Sequence, residues 1–257
     1  MGDKSAIEWT NSTWNPLTGC TKVSPGCDHC YMFRDYPRLA AYGVRGYAGG
    51  SPDKVRFWPE RLSQPEMWRK PRMIFVNSMS DTFHSDVPDE DIDLIFRAML
   101  NAPQHTYQML TKRPNRVKRW WARFNPVPHA PYWPRNIWLG TSVEASRWDG
   151  RIERIAETPA PIKFLSAEPL LGPLRLEWCF LRGMLDWVIV GGESGPKARP
   201  MSHHWVRDIR DQCVKAGVPF FFKQWGGLRP KSNGRLLDGR EWNEMPSVAA
   251  AEQGALL

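Results

Sequence analysis

Three cysteines stand close together near the start of the chain, as Cys20-x6-Cys27-x2-Cys30, within Gly19-Cys20-Thr21-Lys22-Val23-Ser24-Pro25-Gly26-Cys27-Asp28-His29-Cys30-Tyr31. Thiolates are soft metal ligands, and Pro25 and Gly26 supply a turn through which all three sulfurs can converge. The segment is polar, whereas unliganded cysteines usually sit in apolar packing, so the pattern points to a metal or iron–sulfur centre. Two centres fit the count. A tetrahedral zinc needs a fourth donor, which would come from a distant cysteine or from a histidine such as His84 or His203. A four-iron cluster held by three thiolates leaves one iron open to a small molecule. No second CxxC or HxxxH pair closes a zinc site, and the remaining cysteines lie in apolar settings: Cys179 beside Trp178 and Phe180, Cys213 on a helix face. The cluster is the favoured reading.

Such a loop needs a scaffold, and the rest of the chain supplies a repeating one. Apolar runs at Met73 to Ser78, Thr106 to Leu110, Asn136 to Thr141, Ile162 to Ala167, Asp186 to Gly191 and Val218 to Lys223 start at intervals of roughly 25 to 33 residues, the length of one strand-helix unit. A helix starting at Asp86 and Pro88 and stopped by Asn101 and Pro103 buries Ile92, Ile95, Phe96 and Met99. Another runs from near Ser202 to Gly217, with Trp205, Ile209, Cys213 and Ala216 on one side. Continuous apolar strands separated by helices imply a parallel sheet. With a further strand in Ile7 to Leu17, the expectation is a single-domain α/β protein with a full or partial parallel β/α barrel over residues 1–228, carrying an insertion at about 43–72 and an irregular tail over 229–257. A doubly wound sheet is the structural alternative, without a GxGxxG to support it.

In a parallel barrel, function sits at the carboxyl ends of the strands. Here those ends carry Ser78, Ser80 and Asp81, then Lys112 and Arg113, then Ser142 and Glu144, then Ser166 and Glu168, then Gly191-Gly192-Glu193, and finally Lys223. Helix caps and tight turns account for some of them singly, but together they would line one pocket. Glu168 and Glu193 are candidates for reading a hydroxyl or amine of a cofactor. Lys112, Arg113 and Lys223 are candidates for the substrate.

The chain has 257 residues and, with 35 Lys and Arg against 27 Asp and Glu, a formal charge of +8, which favours polyanionic partners such as DNA or RNA. Hydrophobic residues make up 42%, enough for a packed core, so global disorder is excluded. No run approaches the roughly 20 apolar residues that cross a bilayer, so a soluble, cytoplasmic protein is expected. Two basic segments stand out. Arg116, Arg119 and Arg123 share the outer stripe of a helix whose inner side is Val117, Trp121 and Phe124, and read as a solvated face. Lys54, Arg56, Arg61, Arg69, Lys70 and Arg72 are interleaved with Trp58 and Trp68, which suits either phosphate contact with base stacking or a strap anchored by its aromatics.

Taken together, Ile7-Glu8-Trp9-Thr10, Gly19-Cys20, Pro25 to Tyr31, Leu110-Thr111-Lys112-Arg113-Pro114, Gly191-Gly192-Glu193-Ser194-Gly195 and Lys223-Gln224-Trp225-Gly226 resemble the phage-type three-cysteine-motif proteins of uncharacterised function. That family in turn resembles a branch of the radical S-adenosylmethionine superfamily. The resemblance implies a partial β/α barrel, a 4Fe-4S cluster on Cys20, Cys27 and Cys30, S-adenosylmethionine bound at its open iron, and an electron donor such as flavodoxin or ferredoxin. The chemistry implied is reductive cleavage of the sulfonium to a 5'-deoxyadenosyl radical.

Two departures limit what carries over. The superfamily spacing is CxxxCxxC, and here the first gap is three residues longer, so the loop must bulge. Its Gly-Gly-Glu motif, which receives the methionine amino group, follows the second strand, whereas Gly191-Gly192-Glu193 follows a late one. That role therefore passes to Ser78, Ser80 and Asp81, with Ser142 and Glu144 for the ribose. His29 stands where the superfamily favours an aromatic side chain. The function expected is radical chemistry on a nucleic acid or nucleotide, in modification or in repair of a damaged base. The competing reading is a zinc-stabilised, non-catalytic nucleic-acid-binding protein.

Overall fold

The computed structural model describes residues 5–124 and 133–247. In chain order its strands are β1 (Ser12–Trp14), β2 (Leu17–Thr18), β3 (Arg56–Phe57), β4 (Met73–Val76), β5 (Thr106–Thr111), β6 (Ile137–Ser142), β7 (Lys163–Ala167), β8 (Trp187–Gly191) and β9 (Phe220–Gln224). The helices are α1 (Tyr31–Ala41), α2 (Gln64–Met67), α3 (Asp89–Asn101), α4 (Pro114–Arg123), α5 (Gly150–Ala156), α6 (Glu177–Phe180) and α7 (His203–Ala216). Seven strands form one parallel sheet in the order β1-β4-β5-β6-β7-β8-β9, while β2 and β3 pair separately and antiparallel. The sheet curls into a half-barrel flanked by helices. A doubly wound sheet reverses its strand order midway; this one runs in chain order from edge to edge.

Alternation along the strands makes two cores. Phe75, Trp138, Phe164, Trp187, Ile189 and Phe221 point into the curl and pack around Trp9, whose ring lies 4.8 Å from Phe75 and 6.3 Å from Trp187. Their neighbours in sequence, among them Ile74, Val76, Leu139, Leu165, Val188, Val190, Phe220 and Phe222, point outward against the helices. Both faces of the sheet are therefore covered, which is why its strands read as unbroken apolar runs.

The expected strands begin within two residues of the observed ones, and β1 is the N-terminal strand. In α3, Ile92, Ile95, Phe96 and Met99 are fully buried as anticipated. The later helix needs correction. Its buried line is Val206, Ile209, Gln212 and Cys213, while Ala216 is exposed, because Gln212 is fixed to the Leu176 N–H and the Leu174 carbonyl and sets the rotation of α7. Gly217 ends the helix at φ +68°, a left-handed cap that glycine adopts without strain.

The outer stripe of α4 is also not simply solvated. Arg116 reaches Asp89 at 2.7 Å, and Arg123 reaches Asp89 at 3.2 Å and Asp93 at 2.8 Å, so two of its three arginines stitch α4 to α3. Trp120, not Trp121, is the tryptophan fully buried there. Within residues 43–72, Arg61 is buried, donates to the carbonyls of Asn15 and Arg45, and stacks on Trp58, whose indole donates to Thr18. For that part of the segment the strap reading holds. The tail is irregular but not loose as far as residue 247: Leu237 and Trp242 are buried, and Phe222 and Trp187 donate to the carbonyls of Trp242 and Glu244. The last ten residues lie outside those described. Among the described residues no helix is long and apolar enough to cross a membrane.

Candidate functional site

The cysteine loop leaves β2 and lies across the carboxyl ends of the parallel strands. Gly19, at φ +86°, leads into it, and a Cβ there would overlap the carbonyl of Lys54. Cys27 closes a single 3-10 turn, Pro25–Cys27, and Cys30 is the residue from which α1 starts. The six-residue first gap of the motif is the segment that carries Thr21 and Ser24 as anchors. The Thr21 hydroxyl meets His84 Nε2 at 2.7 Å, its carbonyl accepts from Arg113 at 3.0 Å, and Ser24 donates to Glu144.

All three thiols open into one cavity of about 480 Å³. Twelve of the thirteen residues expected to form the site line it: Cys20, Cys27 and Cys30, with Ser78, Ser80 and Asp81 after β4, Lys112 and Arg113 after β5, Ser142, Glu168, Glu193, and Lys223. Burial pushes the Cys20 thiol up to about 12, helped by Asp81 and opposed by Arg113, whose Nη1 lies 3.7 Å from the sulfur. The Cys30 thiol is raised by burial as well.

Glu144 is the exception. It stands behind the loop, where it accepts from Ser24 and from Arg151 at 3.2 Å and fills the space a side chain on Gly26 would need. It positions the loop and does not face the cavity, which corrects its assignment to a ribose. Several lining residues are structural in part. Asp81 accepts from Thr111 at 2.8 Å, from the amides of Phe83 and Lys112, and from Arg113 at 3.0 Å. Ser78 donates to Asn15, and Ser80 to the carbonyl of Gly19 at 2.6 Å.

Glu193 accepts from Arg199 through the amide at 2.9 Å and the guanidinium at 2.5 Å, and lies 2.9 Å from His29 Nδ1. Burial opposes its charge, yet these partners overcome that and hold the carboxyl down at about 2. On the strands flanking β8, Lys223 of β9 pairs with Glu168 after β7 at 2.9 Å, and Ser166 donates to the same carboxylate. Burial works against the Lys223 ammonium, and Glu168 more than offsets it, so the pKa stands above the usual value.

With this arrangement in view, the chain matches over residues 4–246 the model of a family described as protein of unknown function, DUF5131. The chain belongs to the DUF5131 family. No curated protein and no solved structure matches it.

For this DUF5131 protein the fit of a metal centre rests on its own donors. Among the described residues no three His, Cys, Asp or Glu side chains are gathered into a ready-made cation cage. The donor chemistry is nevertheless thiophilic, since three thiols share a cavity and the other two cysteines are fully buried in the helix-side core. The expected fourth zinc donors are elsewhere: His84 is engaged with Thr21 and with the Asp86 amide, and His203 stacks on Trp225 at 3.9 Å outside the cavity. Neither histidine joins the three thiols as a fourth donor.

Sequence reasoning missed Trp9 and Lys231 in the cavity wall, and Arg199 behind it. Trp9 follows a β-poor segment and enters the curl from its open side. Lys231 sits in what reads as a tail and pairs with Glu8 at 2.9 Å. No local pattern marks Arg199, because its partner Glu193 is defined only by the folded loop.

Proposed function

We propose that this protein is an iron–sulfur enzyme of the radical S-adenosylmethionine type, acting on a nucleic acid or nucleotide in modification or repair. One observation carries the reading: three thiols from a single loop open into one cavity at the carboxyl ends of a parallel half-barrel. Cys20, Cys27 and Cys30 hold the cluster, and S-adenosylmethionine occupies its open side. When bound, the two groups supply one-electron cleavage and hydrogen-abstraction chemistry.

The chain's own residues bind and orient. Lys112, without an ionic partner among the described residues, faces the substrate; Ser142 meets a ribose hydroxyl. The fixed pair of Glu168 and Lys223 orients the substrate, and Trp9, Phe75 and Leu110 form an apolar floor that excludes water. A soluble flavodoxin or ferredoxin is the electron source in this reading.

Anaerobic reconstitution tests it. Roughly four iron and four sulfide per chain are expected, with methionine and 5'-deoxyadenosine formed on reduction in the presence of S-adenosylmethionine. Cys27→Ala abolishes both. Stoichiometric zinc without iron would instead select the non-catalytic, zinc-stabilised reading.

A further inference from the structure

A second cavity adjoins the cysteine pocket. It is a groove of about 940 Å³ between α4 and α5, and its walls carry six cations, Lys112, Arg113, Arg116, Arg119, Arg151 and Arg154, against two acids, Asp89 and Glu153. Four of these cations are paired with carboxylates: Arg113 with Asp81 at 3.0 Å, Arg116 with Asp89 at 2.7 Å, Arg151 with Glu144 at 3.2 Å, and Arg154 with Glu157 at 3.0 Å on the exposed side. Lys112 and Arg119 have no ionic partner among the described residues. Trp148 lines the same wall with the Arg151 guanidinium 4.5 Å from its ring, and its indole N–H finds no acceptor among the described residues.

Lys112 and Arg113 face both cavities, whereas Arg119 and Arg154 face only the groove. We infer that the groove holds the sugar-phosphate backbone of a single-stranded nucleic acid and leads one of its bases into the cysteine pocket. The inference deepens the function proposed above and rests on it for what happens to that base.

The physical case has three parts. Arg113, Arg116 and Arg151 already donate to groups inside the fold and so rigidify the wall, while the unpaired Lys112 and Arg119 supply the attraction for phosphate oxygens. A free nucleotide seated in the pocket would leave Arg119 and Arg154 without a ligand, while a strand uses both cavities at once. A base inside a duplex cannot enter a pocket of this kind without leaving its stack, so the bound form is single-stranded. In the other basic segment Arg61 is engaged within the fold.

Fluorescence anisotropy with fluorescein-labelled single-stranded DNA and RNA of about 15 nucleotides tests the inference on the isolated protein, without reductant or S-adenosylmethionine. Affinity should fall linearly in log-log form with salt. Arg119→Glu and Arg154→Glu should each weaken binding about tenfold at low salt and flatten the slope by about one. Arg182→Glu makes the same charge change in the turn before β8, at the other end of the strands, and should leave affinity unchanged.

Salt-insensitive or absent binding, equal loss with Arg182→Glu, equal affinity for the matching duplex, or competition by adenosine monophosphate as strong as by the oligomer would each overturn it. Reductive cleavage of S-adenosylmethionine is scored separately. Its absence with groove-dependent binding intact refutes the enzyme reading alone, and the converse refutes the groove alone.

Discussion

Glu193 Oε2 lies 2.9 Å from Nδ1 of His29, and so joins the end of β8 to the cysteine loop across 164 residues of chain. Arg199 completes the clamp by donating to both Glu193 and the carbonyl of Pro25, the latter at 2.7 Å. The loop is thus held by the strand ends it covers.

That clamp has an acid limit. With the Glu193 carboxyl lowered from 4.5 to about 2, its contribution is complete above the unfolded pKa and disappears as pH falls from about 4.5 through about 2. Linkage makes the contribution about 3 kcal/mol at neutral pH. Glu193→Gln should reduce the stability slope in that window, to which Asp89 and Asp238 also contribute, read by urea denaturation at stepped pH; a slope unchanged by the substitution would refute the clamp.

Glu144 makes a second tie, between the loop and Arg151. Glu144→Ala leaves the Arg151 cation buried without its carboxylate and should cost about 3 kcal/mol. Amide exchange should quicken in the 3-10 turn Pro25–Cys27 before it does in α3. If exchange rises evenly over the whole chain, Glu144 has no particular hold on the loop.

The Glu168 and Lys223 pair predicts a coupling. Lys223→Met strands a partly buried carboxylate and should lower stability by about 2 kcal/mol. The double change Glu168→Gln with Lys223→Met should recover much of that loss, so that a double-mutant cycle returns a coupling above about 1 kcal/mol. Additive single effects would contradict the pairing at 2.9 Å.

Trp242 tests whether the terminal segment belongs to the fold. It is 7% exposed, meets Phe220 edge-on at 5.7 Å, and lies under Arg240. Trp242→Ala should cost about 3 kcal/mol and lower Tm by several degrees in calorimetry. A change within error would mark the segment as dispensable.

The half-barrel was legible because its strands are buried on both faces, and helices α3 and α7 because caps and acids mark their ends. The site was legible for a related reason: in a parallel sheet the residue after each apolar run lies on one rim, so Ser78, Lys112, Ser142, Glu168 and Lys223 could be gathered without knowing the curl. Glu144 failed that rule because Ser24 and Arg151 hold its carboxylate behind the loop. The rotation of α7 was misread because Gln212, a polar residue, occupies a buried position through two backbone contacts that periodicity does not register. Arg199, Lys231 and Trp9 come from irregular segments, whose placement depends on distant partners.

The curl is not closed by strand pairing. Its open side is spanned by Glu8 and Lys231, near opposite ends of the described chain and joined by one ion pair. The gape of the arc is therefore set by two irregular segments rather than by a hydrogen-bond ladder. Insertions beside either residue could widen the mouth for a bulkier guest while every rung of the sheet stays in register.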